Sequence, residues 1–245
     1  WISYLLLRPS NIMLALKQAL SLVSTNKTSS VSPAWSPSDD SSLLAWYKNK
    51  VGVNFNASSE VTRWDDSSSP PIHNMSSSGD VGEYPTYNSA TGELQFDASQ
   101  TQHLQSSVQM ELTSYFTVGF KINATSFNNT VLGDNTSSNE YFKITSTTNL
   151  RIKSSTGLTN LAANTTTFGD VYVVITRDLI DGIEMWIDGV LQSGTGELTG
   201  SILIDAIGIR AVDINSFDGT ISEMQIYNKA SSTLTTNVNT YLSNI

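Results

Sequence analysis

The chain has 245 residues, with 13 Lys+Arg against 22 Asp+Glu, a net charge of −9 and a pI near 4.5. That balance excludes a nucleic-acid binder built on a basic surface, because phosphate contacts need clustered Lys and Arg. Charged residues make up 14%, below the roughly 25% of an average soluble domain, so Ser, Thr and Asn must supply the polar surface. Zero cysteines remove disulfides, thiolate zinc sites and cysteine nucleophiles together.

The chain opens on Trp1, and Met13 reads as a natural start. No apolar run approaches the roughly 20 residues of a membrane span. Trp1–Leu7 is followed by Arg8 and Pro9 with no basic residue before it, so it reads as neither a span nor a signal peptide. Met13, Leu16, Leu20 and Val23 recur at helical spacing and predict a short amphipathic helix within an arm over 1–24. Residues 25–42 are rich in Ser, Pro and Asp without periodicity, the composition of a linker. From residue 43 to 245 the reading is one domain.

In that domain the period becomes two. Phe116, Val118, Phe120 and Ile122 alternate with Tyr115, Thr117, Gly119 and Lys121, which predicts a half-buried strand with the first set inward. Further strands are expected at 141–145, 150–152, 171–176, 183–187, 202–204 and 221–227. Asp181-Gly182, Asp188-Gly189 and Asp218-Gly219 read as hairpin turns, since Gly tolerates the positive φ of a tight turn. Many short strands at regular spacing describe a sandwich or jelly roll. Leu234, Val238, Tyr241 and Leu242, behind Ser232 and Thr233, predict a closing helix.

The succession LLAWYKNKVGVN, VTRWDDSS, LQFDASQTQHL, YFTVGFKIN, VVITRDLIDGIEMWIDGVL and FDGTISEMQIYN resembles the concanavalin A-like lectin/glucanase superfamily, in its laminin-G-like branch. It departs from that pattern at Val171 and Tyr172, where an aromatic often opens the strand, and at Phe120, which replaces a Trp. The resemblance implies an all-β, two-sheet antiparallel jelly-roll sandwich, here with a short helix at each end.

Relatives of this fold that cut polysaccharides use paired carboxylates on one strand. The ExDxxE-type pattern is absent, and Glu184 and Asp188 share a strand face with Asp188 explained by its turn. No G-x-S-x-G elbow exists either, so no enzyme is expected. The stretch from Gly194 to Gly200 reads as a loop. No cofactor is assigned. Two oxygen-rich segments, Asp134–Glu140 and Asp39-Asp40, have the ligand types calcium takes, with a solvated turn as the other reading. His73 and His103 have no evident partners and read as surface or strand residues.

Trp64, Asp65, Asp66, Tyr84 and Tyr87 combine aromatics with carboxylates and are the candidate sugar platform. Trp64 packed on the sandwich edge, with Asp65-Asp66 opening a turn, is the alternative. A helical arm and polar linker ahead of one jelly roll resemble accessory proteins of tailed-bacteriophage particles. This implies a capsid decoration protein on the outer virion surface, attached to shell proteins through Leu16, Leu20 and Val23, oligomeric, and able to touch host glycans. The alternative is a secreted or cell-surface carbohydrate-binding module.

Overall fold

The computed structural model describes residues 34–245 apart from 78–82, 137–138, 165–167, 180–181 and 212–213. The predicted arm helix with Leu16, Leu20 and Val23, and the linker as far as residue 33, lie outside the described residues. The chain divides into two units, Trp1–Ala34 and Trp35–Ile245, and the second holds the sandwich.

Its strands are β1 (Leu43–Tyr47), β2 (Val53–Phe55), β3 (Val61–Trp64), β4 (Met75–Ser77), β5 (Thr86–Asn88) and β6 (Glu93–Phe96). Then come β7 (Leu104–Leu112), β8 (Phe116–Ala124), β9 (Asn129–Gly133), β10 (Tyr141–Ser146), β11 (Asn149–Lys153) and β12 (Leu158–Ala162). Last are β13 (Val171–Asp178), β14 (Gly182–Ile187), β15 (Val190–Leu191), β16 (Ile202–Ile207), β17 (Gly219–Tyr227) and the helix α1 (Ser232–Leu242). Sheet A runs β15-β14-β13-β8-β17-β6-β5, with β1 also paired to β17; sheet B runs β12-β11-β10-β9-β16-β7-β4-β3-β2. Every pairing between these strands is antiparallel. This is the expected all-β sandwich.

Strand alternation places the core between the sheets. Phe116, Val118, Phe120 and Ile122 on β8 are 0–2% exposed and belong to it, as their spacing predicts. Aromatic rings meet across the layers: Phe116 with Phe142 of β10 at 5.8 Å, and Tyr47 of β1 with Trp64 of β3 at 5.6 Å. Such edge and tilted contacts add about 0.5–1.5 kcal/mol beyond the area they bury. Arg177 also points inward, opposite Phe116, and is 2% exposed. Its guanidinium donates to the Thr113, Ser114 and Gly200 carbonyls, which is how a charge survives there.

Thr117 and Gly119, on the other face of β8, are also buried, which its alternation does not reveal. Val174, Tyr227, Leu234, Val238 and Leu242 form a second apolar cluster where α1 lies on sheet A. Gly119 lets the helix approach, since a Cβ there would stand 2.6 Å from Val238 Cγ1. The helix is capped by Ser231, one residue ahead of the predicted cap, whose Oγ accepts from Leu234 N at 3.2 Å.

Asp188 and Gly189 turn β14 into β15 with φ of 49° and 75°, as expected. Asp218-Gly219 differs: β16 and β17 lie in different sheets, so the pair crosses between layers instead of closing a hairpin. Residues 35–42, assigned to the linker by composition, belong to the sandwich. Pro37 is buried, Trp35 meets Tyr241 edge-on at 6.3 Å, and Asp40 pairs with Lys229 at 2.9 Å.

Candidate functional site

The predicted sugar platform is not assembled. Trp64 is 0% exposed and donates from Nε1 to Lys48 O at 3.3 Å, so it offers no face to a ligand. Asp66 is 4% exposed and accepts from the backbone of Trp46, Ser68 and His73, pinning β1 to the segment after β3. Asp65 faces outward in an ion pair with Arg63 at 2.6 Å. Tyr87 sits in sheet A, half-buried against exposed Phe55 with ring centroids 5.1 Å apart, and Tyr84 is half-buried ahead of it. Sequence neighbours on a strand end and a following turn are thus split between the core and two sheets.

The histidines are buried, not superficial: His73 is 5% and His103 6% exposed, with Nδ1 against Val108 O and Thr101 O. In the oxygen-rich loop, Asp134 Oδ1 receives Gln109 Nε2 at 2.9 Å and Thr136 N at 3.0 Å. Asp40 Oδ1 receives Ser42 N at 2.9 Å. Among the described residues no group of three His, Cys, Asp or Glu is placed to hold a metal.

The structure instead shows a cleft of about 360 Å³ between β13, β14 and α1. Alternation builds its strand side: Ile183 and Met185 are inward and fully buried, so Glu184 and Trp186 face out. Thr176 stands opposite Glu184, and Asp178 lies two residues further along β13 on the same face. The helix contributes Thr236, Asn239 and Thr240. Thr236 and Thr240 donate their hydroxyl protons to carbonyls one turn back, at 2.8 Å each, which leaves lone pairs toward other donors. Asn239 Nδ2 donates to Thr235 O at 2.9 Å, while its buried Oδ1 has no partner. The cleft therefore combines an indole with a rim rich in acceptors, and among the described residues no Lys or Arg lines it. The sequence reading reached Glu184 but missed Trp186 and Asp178. The alternation in IEMWID puts Glu184 and Trp186 on one face, but the helix that makes that face a cleft begins only at Ser232.

A second hollow, of about 460 Å³, lies on the outer face of sheet B over Ser76, Gln105, Gln109, Thr136 and Asp205. Asp205 is 1% exposed, receives Asn135 N at 2.7 Å and Gln105 Nε2 at 3.1 Å, and so is held as part of its floor. Among the described residues no aromatic side chain lines this hollow.

Glu223 is the most perturbed carboxyl near α1. It is 0% exposed and takes hydrogen bonds from Trp46 Nε1 and Asn49 N, beneath a helix whose Tyr241 ring lies 6.0 Å from Trp46. Burial outweighs those donors and pushes it up to about 7.

No family model and no curated protein sequence matches the chain. Solved structures are similar in fold. Domain 4 of AbnA, a GH43 extracellular arabinanase from Geobacillus stearothermophilus in complex with arabinotriose, aligns with TM-score 0.56 and 16% identity over 81% of this chain and 97% of that domain. The binding domain of Paraclostridial Mosquitocidal Protein 1 aligns with TM-score 0.53 and 12% identity over 85% of this chain. Trypanosoma rangeli sialidase aligns with TM-score 0.52 and 10% identity over 96%. The chain spans only 53% of the mosquitocidal domain and 38% of the sialidase. At these identities the likeness is one of fold, a β-sandwich.

Proposed function

We propose that this chain is a non-enzymatic, lectin-like domain that binds carbohydrate in the Trp186 cleft. One observation carries the reading: an indole face set among acceptors that match sugar hydroxyls. Sugar rings stack on flat apolar faces while carboxylates and amides take their O–H groups. Asn239 Oδ1, buried without a partner, is an acceptor that a bound hydroxyl would satisfy. The AbnA domain was solved with arabinotriose, and its likeness is consistent with this reading at the level of fold. The absence of a strand-borne ExDxxE-type set favours binding over hydrolysis. Calorimetry against a panel of neutral oligosaccharides should find a ligand whose binding is lost in Trp186→Ala and weakened in Asn239→Ala, with no reducing ends released. Loss in Gln105→Ala instead, with Trp186→Ala unaffected, would move the site to sheet B. Binding to no saccharide would end the proposal.

The finer reading is a capsid decoration protein displayed on the outer virion surface, in copies whose clustering turns weak single sites into avidity. The apolar stripe of Leu16, Leu20 and Val23 supports it at the level of sequence. A secreted or cell-surface module would use the same cleft. Deleting residues 1–24 should abolish co-sedimentation with particles and leave sugar binding intact; normal co-sedimentation would dismiss the arm as the anchor.

A further inference from the structure

Four of the chain's 13 Lys and Arg residues, Lys143, Arg151, Lys153 and Arg210, gather over β9, β10 and β11. Lys143 and Arg151 are direct cross-strand partners, and Thr130 faces Lys143 from the other side. Phe142, Ile144, Leu150 and Ile152 fill the core, so alternation turns both cations onto the outer face of sheet B. Like charges directly opposite one another destabilise a sheet, and Lys143 is only 5% exposed. Arg210 arrives from the segment between β16 and β17, which lies against Gly133 so closely that a Cβ there would strike Ile209 O. Its guanidinium rests 4.5 Å from the centre of the Tyr141 ring.

The partners of these cations are neutral amides. Lys143 Nζ donates to Asn215 Oδ1 at 2.8 Å, Arg151 Nε to Asn160 Oδ1 at 2.8 Å, and Arg210 Nη1 to Asn139 Oδ1. Glu140, the carboxylate in electrostatic contact with Lys153, is occupied by Leu203 N. Among the described residues the ion pairs are Arg63–Asp65 and Lys229–Asp40, and neither involves this group. A chain with a net charge of −9 has thus gathered cations here without placing a described carboxylate in an ion pair with any of them. Two buried polar atoms beside Lys143, Thr130 Oγ1 and Arg210 Nε, have no partner. Buried polar atoms are otherwise bonded in the great majority of cases, and an orphan calls for a missing water or ion. Burial, then Arg210 and Arg151, pull Lys143 down to about 8, the response of an uncompensated cation.

We propose that Lys143, Arg210 and Thr130 form an oxyanion site that receives one carboxylate, sulfate or phosphate group, with Arg151 at its rim. An oxyanion accepts from Lys143 Nζ, Arg210 Nε and the Thr130 hydroxyl at once, and its charge offsets the repulsion between the cations. The site lies on the opposite face of the sandwich from the Trp186 cleft and stands without it.

The test is a titration of the full chain with sodium sulfate at constant ionic strength, followed by amide NMR. Saturable shifts confined to residues around Thr130, Lys143 and Asn215 are expected. Lys143→Gln should weaken them about tenfold or more, the effect of losing one charge-assisted hydrogen bond, and Arg151→Gln should weaken them less. Sulfate stabilises most folded proteins by exclusion, so saturation and location decide, not a rise in Tm. Glucuronate with glucose as control separates the sources: sulfate and glucuronate binding alike assigns a general oxyanion site, and glucuronate alone assigns a sugar acid. Shifts that never saturate, or that survive Lys143→Gln unchanged, overturn the proposal.

Discussion

The two outer faces of the sandwich are treated in opposite ways. Sheet A turns Val174, Tyr227 and Trp186 outward and leaves Gly119 bare, so α1 settles on it and buries Leu234, Val238 and Leu242. Sheet B turns Gln105, Asp205, Lys143 and Arg151 outward, and no helix among the described residues covers them. The identity of the outward residues on a few central strands decides which face becomes core and which stays a surface for ligands. Each face also holds a buried ionisable group pushed toward neutrality, Glu223 under the helix and Lys143 beside Arg210, from opposite sides.

The largest effect should come from putting a charge on the closed face. Val238→Asp places a carboxylate against Val174 and Gly119 and should destabilise the domain by about 3–5 kcal/mol. Asn160→Asp on the open face should stay within about 0.5 kcal/mol. Urea unfolding of the two variants checks the contrast, and equal losses would show that sheet B hides a comparable contact.

Glu223 gives a pH signature of intermediate size. Its folded pKa is raised, so the folded state holds the proton more tightly, and stability is fully present below about 4.5 and lost as pH rises through about 7. Glu223→Gln should remove that decline and leave the protein on the order of 3 kcal/mol more stable than wild type at pH 8. Denaturation midpoints from pH 4 to 8 would show parallel curves if the carboxyl is better solvated than its burial indicates.

Lys143 should produce the smallest and opposite change. Its folded pKa is lowered to about 8 from 10.5, so stability rises as pH climbs through that window, where the unfolded chain still binds the proton. The gain should be on the order of 1 kcal/mol, because the hydrogen bond from Lys143 Nζ to Asn215 Oδ1 offsets part of the cost of burying the ammonium. Saturating sulfate should flatten the rise if the oxyanion site is real, and an unaltered slope in sulfate would separate the pH effect from anion binding.

Much of the architecture was legible in order. Seven expected strands appear where alternation in 116–122 and short apolar runs elsewhere put them, and the closing helix starts one residue from its predicted cap. The sites were less legible, for a physical reason visible at Trp64 and Trp186. Both are tryptophans beside acidic residues, and the sequence reading chose the first; register buries Trp64 between the sheets, while Trp186 faces a helix that leaves a cleft beside it. Lys143 carried no signal by itself, since its like-charged partner Arg151 is eight residues away and Arg210 far beyond.

Alternation and turn chemistry, which act within a few residues, determined from the sequence by itself that this chain forms many short antiparallel strands closed by an amphipathic helix. Only the tertiary structure decided which sheet the helix covers, that Glu223 and Arg177 are buried, and that scattered cations converge on Lys143. Those outcomes depend on which strands become neighbours, and pairing between residues far apart in the chain is set by packing the whole core at once, not by any local pattern.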